Sequence, residues 1–439
     1  MNINEVIKMN KDDLLIKCKE NLVIIYNKEL SGYMKISREV YNYYVSSEIE
    51  NLTINEFLDL FEDEEDKYYI EQITEKMIKL GILSRSDYAN YIKYMNAKNM
   101  GVYLCITNKC NLKCKHCCTN CSPENDDYLS IHKLKSIVDI VSKLSPKYIV
   151  ITGGEPLIRN DFNELISYIR IKIPNIYLVL STNGTLIANN NIEFIVKRFN
   201  KIDISLDGVD EETCSKIRGK GVFTKAVKVV KELQINNFHN IHLSMIFGDK
   251  DEDLKYKFLE LNASLDTTPV TRHFMPVGRG LDNVKTFSSE NTKIPLSIQN
   301  RLNEVIKEGE KITPCACSSI KSLIFINYDG IIYPCPSLIK DEYKIGNVFD
   351  VDLVNKIKEN DFYNIEGYKN LKKIYPYNYV KCKDCDINIF CWNCPATLDL
   401  IKGDEVEFDR WCKMMKLKLK KAVWEKDVDK NEVYNIGDI

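Results

Sequence analysis

Two periodicities divide this chain. Residues 14–17, 22–26 and 33–36 are short apolar runs separated by Lys19-Glu20-Asn21 and Glu29-Leu30-Ser31-Gly32, which predicts three strands joined by turns. Helical spacing then takes over at 38–47, at 54–61 behind Thr53 as a cap, and at 68–80 with Gly81 as its stop. From residue 102 a second regime begins, with apolar runs at 102–106, 147–151, 176–180, 202–206, 241–247 and 270–275 separated by amphipathic helical stretches. Repeated strand–helix alternation predicts parallel strands closed into all or part of a barrel. In such barrels ligands sit at the carboxyl ends of the strands, so the polar residues just after each run matter most. Farther on, 323–327 and 331–335 flank Tyr328-Asp329-Gly330 and predict a hairpin that ends in a cysteine.

Composition narrows this picture. The 439 residues are 44% hydrophobic and 28% charged, ordinary globular usage with room for two or three domains. A net charge of -2 without any basic block argues against nucleic acid as a bulk electrostatic partner. Residues 1–5 carry no signal-peptide pattern, and no apolar run approaches the roughly 20 residues a membrane helix needs; a cytoplasmic location without a membrane partner is expected. Of 16 cysteines, five fall in 110–121 and eight in 315–412, the clustering of metal sites and not of a disulfide framework. Cys18, Cys105 and Cys214 stand alone and read as small apolar side chains.

Cys110, Cys114 and Cys117 form a Cys-x3-Cys-x2-Cys loop directly after the run at 102–106. Three thiolates in one loop can make a zinc knuckle completed by Cys121 or His116, or can hold a four-iron four-sulfur cluster with one iron left open. Strand-end signals follow: Thr152-Gly153-Gly154-Glu155-Pro156, Ser181-Thr182-Asn183-Gly184, Ser205-Leu206-Asp207-Gly208, and then Arg218 in Lys216-Ile217-Arg218-Gly219. Two adjacent glycines let backbone carbonyls approach a ligand ammonium, which Glu155 can neutralise. Single Gly-Gly, Asn-Gly or Asp-Gly pairs are ordinary turn formers, but several at successive strand ends mark a ligand pocket.

The cysteine loop and these strand ends resemble the radical S-adenosylmethionine (radical SAM) enzymes, and Pro276-Val277-Gly278-Arg279-Gly280 is similar to that family's loop after the sixth strand. The resemblance implies a partial (β/α)6 TIM-like barrel, a cluster on Cys110, Cys114 and Cys117, and SAM chelated by the open iron. It implies that Gly153, Gly154 and Glu155 meet the SAM amino group. Ser181, Asn183, Ser205 and Asp207 are suited to the ribose hydroxyls and the SAM carboxylate, with Arg218 placed to meet that carboxylate. His116 is then an aromatic wall beside the adenine or the cluster. Cys118 and Cys121 are left out of the cluster, because a fourth thiolate would close the iron that SAM needs.

The C-terminal cysteines, Cys315 and Cys317, Cys335 after Gly330, then Cys382-x2-Cys385-x5-Cys391-x2-Cys394 and Cys412, resemble the cysteine-rich SPASM domain of peptide-modifying radical SAM enzymes; two zinc sites are the alternative. By the resemblance one auxiliary four-iron cluster takes Cys382, Cys385, Cys391 and Cys412. A second takes Cys335 and Cys394 with Cys317, Cys315 or both, giving three clusters in all. This chain has two residues, where relatives commonly have three, before Cys394.

The N-terminal pattern resembles the PqqD-like peptide-recognition domains, in which a precursor's leader adds a strand beside 33–36. The expected organisation is a winged-helix-like recognition domain at 1–85, a linker at 86–99, the barrel at 100–305, the cysteine-rich domain at 306–425 and a tail at 426–439. The implied activity is radical modification of a ribosomally made precursor peptide, with an electron from flavodoxin or ferredoxin and a thioether between a Cys sulfur and a carbon as the product. Carbon–carbon crosslinking, epimerisation, sulfatase maturation and a non-enzymatic iron–sulfur sensor are the competing readings. Pro336 disfavours sulfatase maturation, since those enzymes place a catalytic Asp there.

Overall fold

The computed structural model describes residues 2–98, 100–248, 252–288, 312–314, 317–391 and 394–424. The expected tail at 426–439, the expected boundary near 305 and Cys315 lie outside the described residues.

Strands β1 (Leu14–Lys19), β2 (Leu22–Asn27) and β3 (Tyr33–Ser37) form an antiparallel sheet in that order. Alternation gives each face its own partner. Val23, Ile25, Met34 and Ile36 pack with Tyr44, Phe57, Ile73 and Met77 into a local core, while Ile24 and Tyr26 join the main core of the molecule. Helices Arg38–Ile49, Ile54–Leu58 and Glu64–Lys79 follow. Thr53 does cap the second: its hydroxyl accepts from Glu56 N while Glu56 accepts from Thr53 N, a reciprocal capping box. The stretch expected as a linker contains a further helix, Tyr88–Lys98, which rests on the module through Asn27 and Tyr88, 2.8 Å apart.

The six expected parallel strands are β4 (Gly101–Cys105), β5 (Tyr148–Thr152), β6 (Tyr177–Thr182), β7 (Lys201–Ser205), β8 (Ile241–Phe247) and β9 (Thr268–His273), adjacent in chain order. Their outward residues, such as Ile149, Ile151, Leu178, Leu180, Ile202 and Ile204, pack under the flanking helices. The expected hairpin is β10 (Leu323–Ile326) with β11 (Ile331–Tyr333), and β12 (Gly346–Asn347) is added. Its placement was not foreseen: β10 runs parallel to β4, pairing Leu323 with Gly101 and Ile326 with Leu104. One nine-stranded sheet therefore runs through the barrel into the cysteine-rich region. Among the described residues no helix is long and apolar enough to cross a membrane.

Candidate cluster and cofactor site

The cysteine loop leaves β4 and is fixed at four points by backbone. Thr107 O accepts from Gly154 N at 2.8 Å and Lys109 O from Glu155 N at 2.9 Å. Cys110 N donates to Ser122 O and Lys115 N to Ile217 O, each at 3.0 Å. This approach requires the glycines: a Cβ on Gly154 would lie 2.2 Å from Lys109 O and one on Gly153 2.5 Å from Thr107 O. In this structure the glycine pair thus docks the cysteine loop onto the end of β5. On the opposite side Arg279 Nη1 donates to Cys114 O and Nη2 to Cys121 O, both at 2.8 Å. Beside it Gly278 has φ +54, and an added Cβ would lie 2.4 Å from Cys118 O. The loop is held between two glycine-dependent contacts.

The thiols are withdrawn from bulk water but not from donors. Leu112 N points at Cys110 Sγ from 3.4 Å, Arg218 Nη1 at Cys114 Sγ from 3.7 Å and Cys121 N at Cys117 Sγ from 3.3 Å. Hydrogen bonds from Cys121 and Thr119 hold the Cys117 thiol low, whereas burial pushes Cys110 up to about 12. Cys121, expected to stand outside the cluster, is thus a buried neighbour of Cys117. The donor set fits a four-iron cluster: three thiols on one loop, each approached by an N–H group of the kind that tunes cluster sulfur. Among the described residues no three His, Cys, Asp or Glu side chains converge on a single ion.

Around the loop the expected pocket residues bond largely to one another. Glu155 is fully buried; it accepts from the Thr182 hydroxyl and Asn183 N at 2.8 Å and from Leu157 N at 3.2 Å, and burial raises its pKa. It joins the ends of β5 and β6. Asn183 Nδ2 reaches Asn111 Oδ1 at 2.9 Å, tying β6 to the cysteine loop. Ser181 and Ser205 are half-buried at the ends of β6 and β7. Asp207, at φ +51, accepts from Arg218 Nε at 2.7 Å, from Ile246 N at 2.7 Å and from His116 Nε2. Burial works to raise the Asp207 carboxyl, but Arg218 and His116 outweigh it and hold the group below the usual carboxylate range. The His116 ring packs edge-on against Phe287, which stacks on Phe274 at 4.2 Å. His116, Asp207 and Arg218 thus form one hydrogen-bonded cluster that ends on the Cys114 sulfur.

Inside the barrel, a polar wall escaped the sequence reading. Lys201 Nζ lies 3.2 Å and His242 Nδ1 3.8 Å from Asp203 Oδ1, and burial lowers the His242 pKa. The signal was present in Lys201-Ile202-Asp203-Ile204-Ser205, where polar residues alternate in a strand whose other face is wholly apolar. Arg279 was seen only as part of a motif, since nothing local marks an arginine that clamps backbone carbonyls.

The C-terminal cysteines fall into two neighbourhoods. Burial, then Cys394 and Cys317, push the Cys335 thiol up, and burial with Cys317 takes Cys394 to about 11. Burial, then Cys382, Cys385 and Cys412, raise Cys391 well above the usual thiol range. Cys335, Cys394 and Cys317 thus act on one another, as do Cys391, Cys382, Cys385 and Cys412.

Comparison with known proteins agrees with this layout. Residues 104–258 match the radical SAM superfamily and residues 315–386 the SPASM iron-sulfur cluster-binding domain. Mycofactocin maturase MftC of Mycolicibacterium smegmatis is 27% identical over 265 residues, 55% of this chain and 66% of the relative. The antilisterial bacteriocin subtilosin biosynthesis protein AlbA of Bacillus subtilis is 29% identical over 258 residues, 56% of each. The chain therefore matches less than two thirds of the length of these relatives. The fold is similar to Streptococcus suis SuiB, solved bound to precursor peptide SuiA, with a TM-score of 0.54, 15% identity, and coverage of 91% of this chain and 98% of that one. The chain carries a radical SAM domain followed by a SPASM iron–sulfur domain.

Proposed function

We propose that this protein is a radical SAM enzyme that modifies a ribosomally made precursor peptide, joining a cysteine sulfur to a carbon of another residue. The observation that carries the reading is the arrangement of cysteines: one loop of three on the barrel, and two further groups in the domain that shares its sheet. Relatives named as a maturase and a bacteriocin biosynthesis protein support peptide modification. When bound, SAM and three four-iron clusters supply one-electron cleavage to methionine and a 5'-deoxyadenosyl radical, hydrogen-atom abstraction from the peptide, and an acceptor for the electron released as the new bond forms.

The chain's own residues orient and enclose. Glycines 153, 154 and 278 and Arg279 fix the loop of Cys110, Cys114 and Cys117, and Arg218, held by Asp207, keeps a cation beside Cys114. In this reading Gly153, Gly154, Glu155, Ser181, Asn183, Ser205, Asp207 and His116 shape the SAM pocket. The inward wall of Lys201, Asp203 and His242 offers polar partners to a peptide entering the barrel. The sheet edge at β3 is where a leader would add a strand, and flavodoxin or ferredoxin supplies the electron. Thioether formation removes one hydrogen atom, one proton and one electron, so the peptide loses two hydrogens and one free thiol.

The test is anaerobic reconstitution, then incubation with SAM, reductant and a cysteine-containing precursor peptide. Loss of two hydrogens together with an iodoacetamide-reactive thiol supports the thioether. The same mass loss with the thiol retained assigns a carbon–carbon bond, and deuterium uptake from solvent without mass loss in ordinary water assigns epimerisation. Iron binding without any 5'-deoxyadenosine formation would leave the sensor reading standing.

A further inference from the structure

Lys321 is a buried lysine, 6% exposed, and among the described residues its ammonium hydrogen-bonds across to the N-terminal module. Nζ lies 3.0 Å from Lys28 O, 2.9 Å from Glu29 O and 3.1 Å from Glu29 Oε2. Glu29, in the turn between β2 and β3, also accepts from Lys372 Nζ at 3.1 Å and from the Tyr363 hydroxyl at 3.0 Å. Two lysines and a tyrosine of the C-terminal region thus converge on one carboxylate of the N-terminal module. A buried charge is costly unless paired and fully hydrogen-bonded, and here all three ammonium protons have oxygen partners.

Lys321 also occupies an unusual stretch of backbone. It lies between Cys317 and β10, in a tight turn where Ile320 N donates to Leu323 O at 2.8 Å and Ser322 N to Ser318 O at 2.9 Å. Ile320 adopts φ +66 and is completely buried. A β-branched residue there is an outlier, persisting only where its surroundings over-determine it. Cys317 O accepts from the Tyr375 hydroxyl at 3.5 Å, and Lys372 lies 5.8 Å from the Tyr375 ring centroid. The clamp on Glu29 and the surroundings of Cys317 are therefore one packed unit.

We propose that the β2–β3 turn is a positioning element of the C-terminal iron–sulfur site, acting through the Glu29–Lys321 pair on the strained turn that carries Cys317. The inference rests on the cluster reading given above. It makes the N-terminal module part of the redox apparatus as well as a domain attached to it: Lys321, Lys372 and Glu29 together place one net positive charge beside the Cys317 segment. Removing one member alters both that charge and the seating of the cysteine.

The experiment compares wild type, Glu29→Gln and Lys321→Met as full-length protein. In the reconstituted holoenzyme, EPR-monitored potentiometry should show one C-terminal cluster shifting upward in Glu29→Gln, which leaves the lysines uncompensated, and downward in Lys321→Met, with the loop cluster unmoved. In the apoprotein, the alkylation rate of Cys317, read by peptide mass spectrometry, should rise severalfold in both variants while that of Cys412 does not. Unchanged potentials together with unchanged Cys317 alkylation, in variants with wild-type circular dichroism, would overturn the proposal. Should Lys321→Met fail to fold, Tyr363→Phe and Glu29→Gln, which leave that lysine in place, decide it by the same two readouts. Absence of any C-terminal cluster from wild type would defeat the cluster reading, while the alkylation comparison would still decide the positioning claim.

Discussion

Asp207 is the group whose removal should do most damage without touching a cysteine. Its carboxylate lies 2.7 Å from Arg218 Nε and 2.6 Å from Nη2, with the two side chains 2% and 9% exposed. At an effective dielectric near 20, charges about 2.7 Å apart attract by about 6 kcal/mol. Desolvating both ions offsets much of this, so the intact pair contributes little net stability. Removing one partner is different: in Asp207→Ala the desolvation of Arg218 remains and the attraction is gone, an imbalance of about 3–5 kcal/mol. Against a total of about 5–15 kcal/mol for a domain, that is a large fraction. The matching double variant, Asp207→Ala with Arg218→Met, leaves neither member of the pair buried without its partner and should recover most of the loss. Urea denaturation of the apoproteins, with hydrogen exchange followed over β7 and β8, measures both. A single-variant loss below about 1 kcal/mol, or a double variant no more stable than the single, would refute the argument that Arg218 depends on Asp207.

Other outcomes follow from the same geometry. Gly278→Ala should displace the cysteine loop, because its new Cβ meets Cys118 O at 2.4 Å and the residue stands at φ +54; iron bound at the loop should fall while the C-terminal iron is retained. Arg279→Lys keeps the charge but cannot bridge Cys114 O and Cys121 O together, so 5'-deoxyadenosine formation should drop by about tenfold or more, the equivalent of about 1.4 kcal/mol in the barrier. Alanine at Cys110, Cys114 and Cys117 together should abolish 5'-deoxyadenosine formation and remove about four irons per chain, the content of one cluster. For Glu29, burial acts to raise the carboxyl, yet Lys321 and Lys372 bring it from 4.5 to about 2. A depressed folded pKa stabilises above the unfolded value and loses that stabilisation as pH falls from about 4.5 toward 2, on the order of 3 kcal/mol in all. The difference in unfolding free energy between wild type and Glu29→Gln should shrink across that window.

Strands β4 to β8 were legible because each buries at least one face, and the hydrophobic run records it directly; β9 has no buried residue. Most central strand spans fell within one or two residues of their sequence positions. The helix Tyr88–Lys98 was not legible: tyrosine, asparagine and lysine are spread around it without a strong apolar stripe. The polar residues at the strand ends could be read by type and not by partner. Glycines after β5 suggested a backbone opened to a ligand, but only coordinates show Gly153 and Gly154 against Thr107 and Lys109. Likewise an Asp before a Gly suggests a turn or a ligand contact; that Asp207 holds Arg218 and His116 depends on side chains brought together by folding. The pairing of β10 with β4 leaves no periodic trace, since neither strand's alternation names its neighbour.

That pairing sets a problem of timing. β4 leaves the ribosome early, but the strand that covers its open side arrives about 220 residues later, roughly 10–45 s at ordinary synthesis rates. Throughout that interval the row of backbone donors and acceptors on Gly101–Cys105 faces solvent as a template for any passing strand. A chain cut before β10 would keep that template permanently, so the barrel produced alone should self-associate. What sequence comparison divides into two matched regions is, during synthesis, a single sheet waiting for its last members.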